Sequence, residues 1–355
     1  MITIKMGDQS YTDVFETVEW SGSIKTSCRS LEATYLKNKA KFELGKEVKL
    51  IVDDLIVFVG TVFSIKMNTE EETYTMKAYD NAIRLNKNFF IRNYYETLPS
   101  QIISELLGSL KIEVGEIPVD RAKCTFPALD RSAYDIILTA YKIQAMKDNK
   151  VYSIISENNR ISVVEQGILI PDLKLISGKN IRRASYEEDI EEMINKIIIY
   201  KTENNTTKNI GIKSNEDDIK KYGIFQRVQE QDQNNEVYLQ VNKMLKGVFE
   251  SSDIEVDGNI YLMSGYSVPV KVNELSPLNN NFLIETDRHL WTSNDYVTYI
   301  SLAFENEMQD IDIPKYPTRK KYKKGETKMI STFDTTKAGQ AVSYTHLTLP
   351  TIRLV

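Results

Sequence analysis

Histidine and cysteine are scarce in this 355-residue chain, at two residues each. The shortage limits the chemistry available. Cys28 and Cys124 lie far apart and outside any CxxC spacing. They fit a chain folded in a reducing cytosol without structural disulfides. A zinc site would have to be built mostly from carboxylates. No run approaches the roughly 18 apolar residues that cross a bilayer as a helix. The start, MITIKMGDQS, has no apolar core of the kind a signal peptide needs, so export by that route is not expected. Nor is there a large excess of one charge: 45 Lys and Arg stand against 50 Asp and Glu, a net −5. That balance argues against a dedicated nucleic-acid binder. Walker and dinucleotide glycine fingerprints are missing, and "MSGYSVP" lacks the second glycine of a nucleophile elbow.

What is present is an ordinary globular composition, long enough for two or three domains with real cores. The first ninety residues read as β. Leu31, Ala33 and Tyr35 alternate with Ser30, Glu32 and Thr34, the period of a half-buried strand. Val48, Leu50 and Val52 repeat the pattern, as do Tyr74, Met76 and Ala78. The run "LIVFVGTVFSIKM" is apolar on both faces in its middle, where Gly60 predicts a bulge or bend. The period then changes. Ile102, Ile103, Leu106, Leu107 and Leu110 share a helical face after Pro99. Ser132 with Asp135 resembles a capping box that opens a second helix. Two short strands with an Asn-rich turn, "KVYSIIS" and "NRISVVEQG", complete a compact α/β module. From about residue 171 strands return in "NKIIIYKT", "YGIFQRVQE" and "YVTYISLAF", with a helix expected through Val237, Val241, Met244, Leu245 and Val248.

Candidate chemistry is sparse. His289, in "TDRHLWTSND", reads as a structural residue at a strand end or turn. Cys124 could act as a nucleophile only if His289 came close to it. "DIEVDGN" imitates a calcium loop, but its twelfth position is Ser264 where a bidentate Glu is required, and a turn at Asp257-Gly258 is preferred. The acids of "YEEDIEE" read as a solvated turn or face. The stretch "KYPTRKKYKKGETK" forms a basic arm. Beyond it, "AVSYTHLTLPTIRLV" resembles a translated adapter sequence and is read as a non-native tail. Twenty tyrosines, apolar with a polar tip, point to protein interfaces.

The order of several segments carries more than any single motif. "VEWSGSIKTSCRSLEATYL", "LGKEVKLIVDDLIVFVGTVFSIK" and "YTMKAYDNAIRLNKN" are followed by "SAYDIILTAYK", "KVYSIISENNRISVVEQG" and "ASYEEDIEEMINKIIIY". Together they resemble XkdQ/YqbQ-type phage tail proteins, related to the late-control-D and hub family of contractile tails. The resemblance implies an α+β, mainly β fold: two β-barrel tube-type domains with an intervening small α/β module. The expected boundaries are 1–92, 93–170 and 171–312 (the last with a helical insertion), then the arm at 313–340 and the tail at 341–355.

The resemblance also implies a homotrimeric baseplate hub that adapts a trimeric central spike to a sixfold tail tube. Its partners would be spike, tail tube and other baseplate proteins of the wedge or LysM type, with no membrane insertion and no specific nucleic-acid binding. Assembly would take place in the bacterial cytoplasm, with release by lysis. No catalytic, metal or cofactor residues are carried over. Trp20, Arg29 and Tyr35 are the assembly candidates, with Trp20 a packing anchor, Gly22 a turn and Arg29 a charge contact. The alternatives are a peptidoglycan-degrading hydrolase using Glu187, Glu188 or His289, and a spike or adhesin-like binding module.

Overall fold

The computed structural model describes residues 1–26, 28–157, 159–203, 206–231, 241, 244–304, 311 and 313–316. Most of the helix expected near Val241, and the arm and tail past residue 316, fall outside them. Strands β1 (Ile2–Met6) and β2 (Gln9–Thr12) precede β3 (Phe15–Ser23), β4 (Ser30–Leu36), β5 (Glu47–Val52), β6 (Leu55–Met67) and β7 (Thr73–Tyr79). The middle carries α1 (Ile83–Lys87), β8 (Phe89–Thr97), α2 (Pro99–Leu110), β9 (Glu113–Val114), β10 (Cys124–Ser132), α3 (Ala133–Asp148), β11 (Tyr152–Glu157) and β12 (Arg160–Glu165). Then follow β13 (Ile168–Leu169), β14 (Leu175–Ile176), β15 (Ile181–Asp189), β16 (Lys196–Glu203), β17 (Thr206–Ser214), α4 (Glu216–Tyr222) and β18 (Gln226–Glu230). Last come β19 (Phe249–Asp257), β20 (Tyr266–Lys271), β21 (Asn281–Thr292) and β22 (Tyr296–Ala303). The fold is α+β and mainly β. These elements belong to one compact unit, Met1–Lys315.

Local patterning accounts for most of them. Leu31, Ala33 and Tyr35 are buried in β4, Val48, Leu50 and Val52 in β5, and Met76 and Ala78 in β7. In α2 the expected face, Ile102 to Leu110, is buried, each side chain contributing about 1.5–3 kcal/mol. Ser132 caps α3: its Oγ accepts from the Asp135 N–H at 3.0 Å. Among the described residues three large cores result, around Trp20 and Leu31, around Ile103 and Tyr141, and around Val268 and Ile300, with a small fourth around Ile197 and Ile199.

The sheet joins what the sequence keeps apart. One path of hydrogen-bonded strands runs β15-β19-β22-β21-β3-β4-β7-β6-β5-β1-β2. Its central link is the antiparallel pairing of β21 with β3, from Thr286 opposite Ser23 to Thr292 opposite Thr17. On either side the same five-strand set occurs. In the first, β3 pairs β4, β4 pairs β7, β7 pairs β6 and β6 pairs β5. In the second, β15 pairs β19, β19 pairs β22, β22 pairs β21 and β21 pairs β20. All are antiparallel, and the chain order matches.

Two of the irregularities match too. Glu16 is extra in β3 opposite β4, as Arg182 is in β15 opposite β19. Phe63 is extra in β6 opposite β7, as Glu285 is in β21 opposite β22. Gly45 N–H donates to Val62 O, and Gly265 N–H donates to Ile284 O, both glycines at positive φ. Bulges are costly, position-specific features. Two in equivalent places mark an internal structural repeat.

Several expectations are corrected. Gly22 lies inside β3 and Gly60 inside β6, neither in a turn nor at a bulge. At Gly60 a Cβ would meet the Phe58 ring and the Tyr79 carbonyl oxygen, so close approach is its reason. His289 sits within β21 with its side chain fully buried. Glu187 and Glu188, by contrast, lie exposed on β15 opposite Ser251 and Glu250, in keeping with the solvated face expected of that run. The segment between β15 and β19 includes a sheet of its own, β17-β16-β18, with α4 beside it in sequence, beyond the helix that was expected.

Candidate functional site at the joint between the two strand sets

The joint is built by alternation. In β3, Val18 and Trp20 point to the core, so Glu19 and Ser21 take the other face. In β21 the core side carries Asp287, His289 and Trp291. Arg29, just ahead of β4, reaches back across β3 to the strand from the far end of the chain. Its Nη1 donates to Asp287 Oδ1 at 3.0 Å and its Nη2 to Asp287 Oδ2, a two-pronged pair with Asp287 1 % exposed. The guanidinium carbon lies 4.0 Å from the Trp20 ring centroid. Gly22 makes this possible, because a Cβ there would collide with Arg29 Nη1.

Asp287 is the hub of the cluster. Oδ1 also accepts from the Ser264 N–H at 2.6 Å, and Oδ2 lies 3.2 Å from His289 Nε2. His289 Nδ1 is 3.0 Å from the Tyr296 hydroxyl, placed to accept its proton, and 3.3 Å from Thr298 Oγ1. The Trp20 and His289 rings lie 4.8 Å apart. Burial alone would raise the Asp287 carboxyl. The Arg29 charge and the His289 and Arg29 contacts outweigh it and hold the carboxyl well below the usual range. Burial keeps His289 neutral by lowering its pKa, against the pull of Asp287. An acid, an imidazole and a phenol in line could suit proton transfer, but His289 has no surface open to a substrate. The cluster is a clasp between strands.

Asp80 closes the other side of Arg29. Its Oδ2 accepts from the Arg29 N–H at 3.0 Å and its Oδ1 from the Ala82 N–H at 2.9 Å. Burial pushes its carboxyl up to about 7. Because this folded value lies above the unfolded one, near 3.9, Asp80 stabilises the fold most at low pH and loses that contribution as pH rises through 7. His289 and Asp287 have lowered values and act the opposite way, losing theirs on acidification. Asp80→Asn removes only the first term. The stability difference between wild type and Asp80→Asn should therefore grow by roughly 1–2 kcal/mol from pH 7 to pH 5. Urea unfolding at both pH values measures it; a constant difference would refute it.

The opposite face of the joint is polar and continuous. Arg288 Nη1 lies 3.3 Å from Glu19 Oε2 and its guanidinium carbon 4.1 Å from the Tyr299 ring centroid. Further along, Lys77 Nζ lies 3.3 Å from Glu32 Oε2. Charges of both signs thus run across the strands from both sets.

Of the three assembly candidates, Trp20 and Arg29 meet at the joint. Tyr35 lies apart in the first core, its ring 5.1 Å from Phe42 and 6.1 Å from Tyr74. Asp287, Asp80 and Gly22 had not been singled out as contacts; "TDRHLW" shows an acid two residues before a histidine, which on a strand share a face, but nothing pairs it with Arg29. Cys124 is buried in the middle core, its thiol pushed up to about 12 by burial, and is not in the His289 cluster. No group of three or more metal-ligating side chains occurs among the described residues, and no described helix is long and apolar enough to cross a membrane.

The same overall fold occurs in solved prophage and bacterial tail proteins. The structure is similar to the 43 kDa tail protein of prophage MuSo2 from Shewanella oneidensis, with TM-score 0.65 at 14% identity over 88% of this chain and 99% of that one. A tail protein of Neisseria meningitidis MC58 matches with TM-score 0.63 at 12% identity, over 87% and 98%. The E. coli c3393 protein, a type VI secretion system component, matches with TM-score 0.51 at 11% identity, over 89% and 79%. At such identities the likeness establishes the fold. Comparison with curated protein sequences gives no significant match. The YQBQ-like family model matches residues 18–303, and the chain belongs to that family.

Proposed function

We propose that this chain is the structural hub of a contractile tail baseplate, in a phage or a phage-tail-like particle. Three copies surround a central channel and together present six similar strand sets. They adapt a threefold spike to a sixfold tail tube and nucleate its assembly. In this reading residues 1–92 and 171–312 are the two barrel-type tube domains and 93–170 the module between them. Trp20 and Arg29 act by holding the two sets together within each chain. Spike, tube and other baseplate proteins are the partners, assembly is cytoplasmic and release is by lysis. The role is mechanical rather than catalytic.

The observation that carries the reading is the repeat. Two equivalent sets per chain, with matching bulges, are what a threefold assembly needs to offer six equivalent contacts. The polar face spanning the joint suits a water-filled channel wall. Native mass and electron microscopy of the full chain, alone and with the spike and tube proteins, test it. Three copies around a channel are expected. A monomer at high concentration that forms no ring with those partners would sink the reading.

A further inference from the structure

The joint inside the chain has a vacant counterpart. β21 uses one edge for two partners: Asn281 to Leu283 pair β20, and Thr286 to Thr292 pair β3. β6, its equivalent, pairs β5 through Leu55 to Thr61. Among the described residues, 63–67 have β7 alone. The equivalent of β3 is β15, whose strand partner among the described residues is β19, with a single further bridge from Ile181 to Ser177. So the half-edge of β6 and the outer edge of β15 beyond Ile181 stand at opposite ends of an eight-strand path, each lacking, among the described residues, the partner its repeat possesses.

We infer that β15 of one copy pairs antiparallel with the free half of β6 in the next, reproducing the β3–β21 joint between subunits. This rests on the trimeric reading above. The bulges set the register. Glu285 corresponds to Phe63, and Glu16 to Arg182. Within the chain Arg288 faces Ser21 and His289 faces Trp20. Between copies Lys66 therefore faces Glu187, and Met67 faces Tyr186.

The side chains fit that register. Lys66 arrives beside exposed Glu187 and Glu188, an opposite-charge match. Phe63 and Met67 are 47% and 64% exposed, apolar groups left open at this edge. Met67 would meet the Tyr186 ring where His289 meets Trp20. The Arg29–Asp287 clasp is not repeated, since Glu250 and Ile65 occupy the corresponding positions. The contact between copies thus relies on surface charge and is weaker and salt-sensitive, whereas the one within the chain is buried. A head-to-tail contact of this kind gives a closed ring when its rotation divides the circle.

Paired cysteines in the full chain test the register. Lys66 and Glu187 lie seven strand spacings apart within one copy, roughly 33 Å along the sheet. A disulfide requires Cβ atoms within about 4.5 Å, so it must join two copies. Oxidised Lys66→Cys/Glu187→Cys should form covalent species of up to three chains, while either single variant stays at the wild-type level. Lys66→Glu and Glu187→Lys should each weaken assembly about tenfold, and the double reversal should restore most of it. A trimeric wild type with no cross-link and no rescue would overturn the edge pairing and leave the hub reading standing. A wild type that remains monomeric, also without cross-link, would overturn both.

Discussion

Replacing Arg29 with Ala is expected to cost about 3–5 kcal/mol of folding stability. Asp287, 1 % exposed, would keep the Ser264 N–H and the neutral His289 but lose both guanidinium bonds. A carboxylate in that position is then uncompensated, and must either pay desolvation or take up a proton. The loss should be largest near neutral pH, where Asp287 is charged, and shrink in strong acid. Urea unfolding of Arg29→Ala at pH 7 measures it; a loss below about 1 kcal/mol would show that the pair does not clasp the sheet. The companion variant Arg29→Met/Asp287→Leu should recover most of the stability, because apolar groups of similar volume avoid the desolvation cost. If both variants are equally unstable, the strand joint depends on packing and not on the charges.

Trp20→Ala is expected to lose a similar 3–5 kcal/mol, for a different reason. The indole is 2% exposed and packs against both the Arg29 guanidinium, its carbon 4.0 Å from the ring centroid, and the His289 ring at 4.8 Å. Truncation opens a cavity that β3 and β21 must span and removes the surface on which Arg29 stacks. Trp20→Phe should cost much less, since it keeps an aromatic face and removes a buried indole N–H that has no hydrogen-bond partner among the described residues. Arg29→Ala and Trp20→Ala should also be coupled. The double variant should lose at least about 0.5 kcal/mol less than the sum of the singles. Strict additivity in a double-mutant cycle would mean the two residues act independently.

Much of the secondary structure was legible because it depends on local periodicity. Leu31, Ala33 and Tyr35 alternate in sequence and are buried together in β4. Ile102 to Leu110 recur with helical spacing and are buried on α2. Glycine was harder to interpret. Gly22 and Gly60 signal a turn or bulge when only neighbours in sequence are considered, yet each admits a group from elsewhere, Arg29 Nη1 in one case and the Phe58 ring and Tyr79 backbone in the other. His289 likewise looked like a turn residue among polar neighbours, because its burying partners, Trp20 and Thr298, lie on other strands.

The repeat is invisible in the residues themselves. Equivalent core positions share burial and little else: Ala33 corresponds to Ile254 and Met76 to Ile300. A core position asks for apolar volume, which many side chains satisfy. A strand register, by contrast, is held by the backbone whatever the side chain. By itself the sequence determined the α+β, mainly β character, the capped helices of the middle and the scarcity of reactive groups, all of which follow from composition and short-range pattern. Only the tertiary structure decided that β3 pairs with β21, that Arg29 closes on Asp287 258 positions away, and that two equivalent sets form one sheet. Those are long-range pairings, and a buried charge finds its partner only when the backbone has brought the two strands side by side.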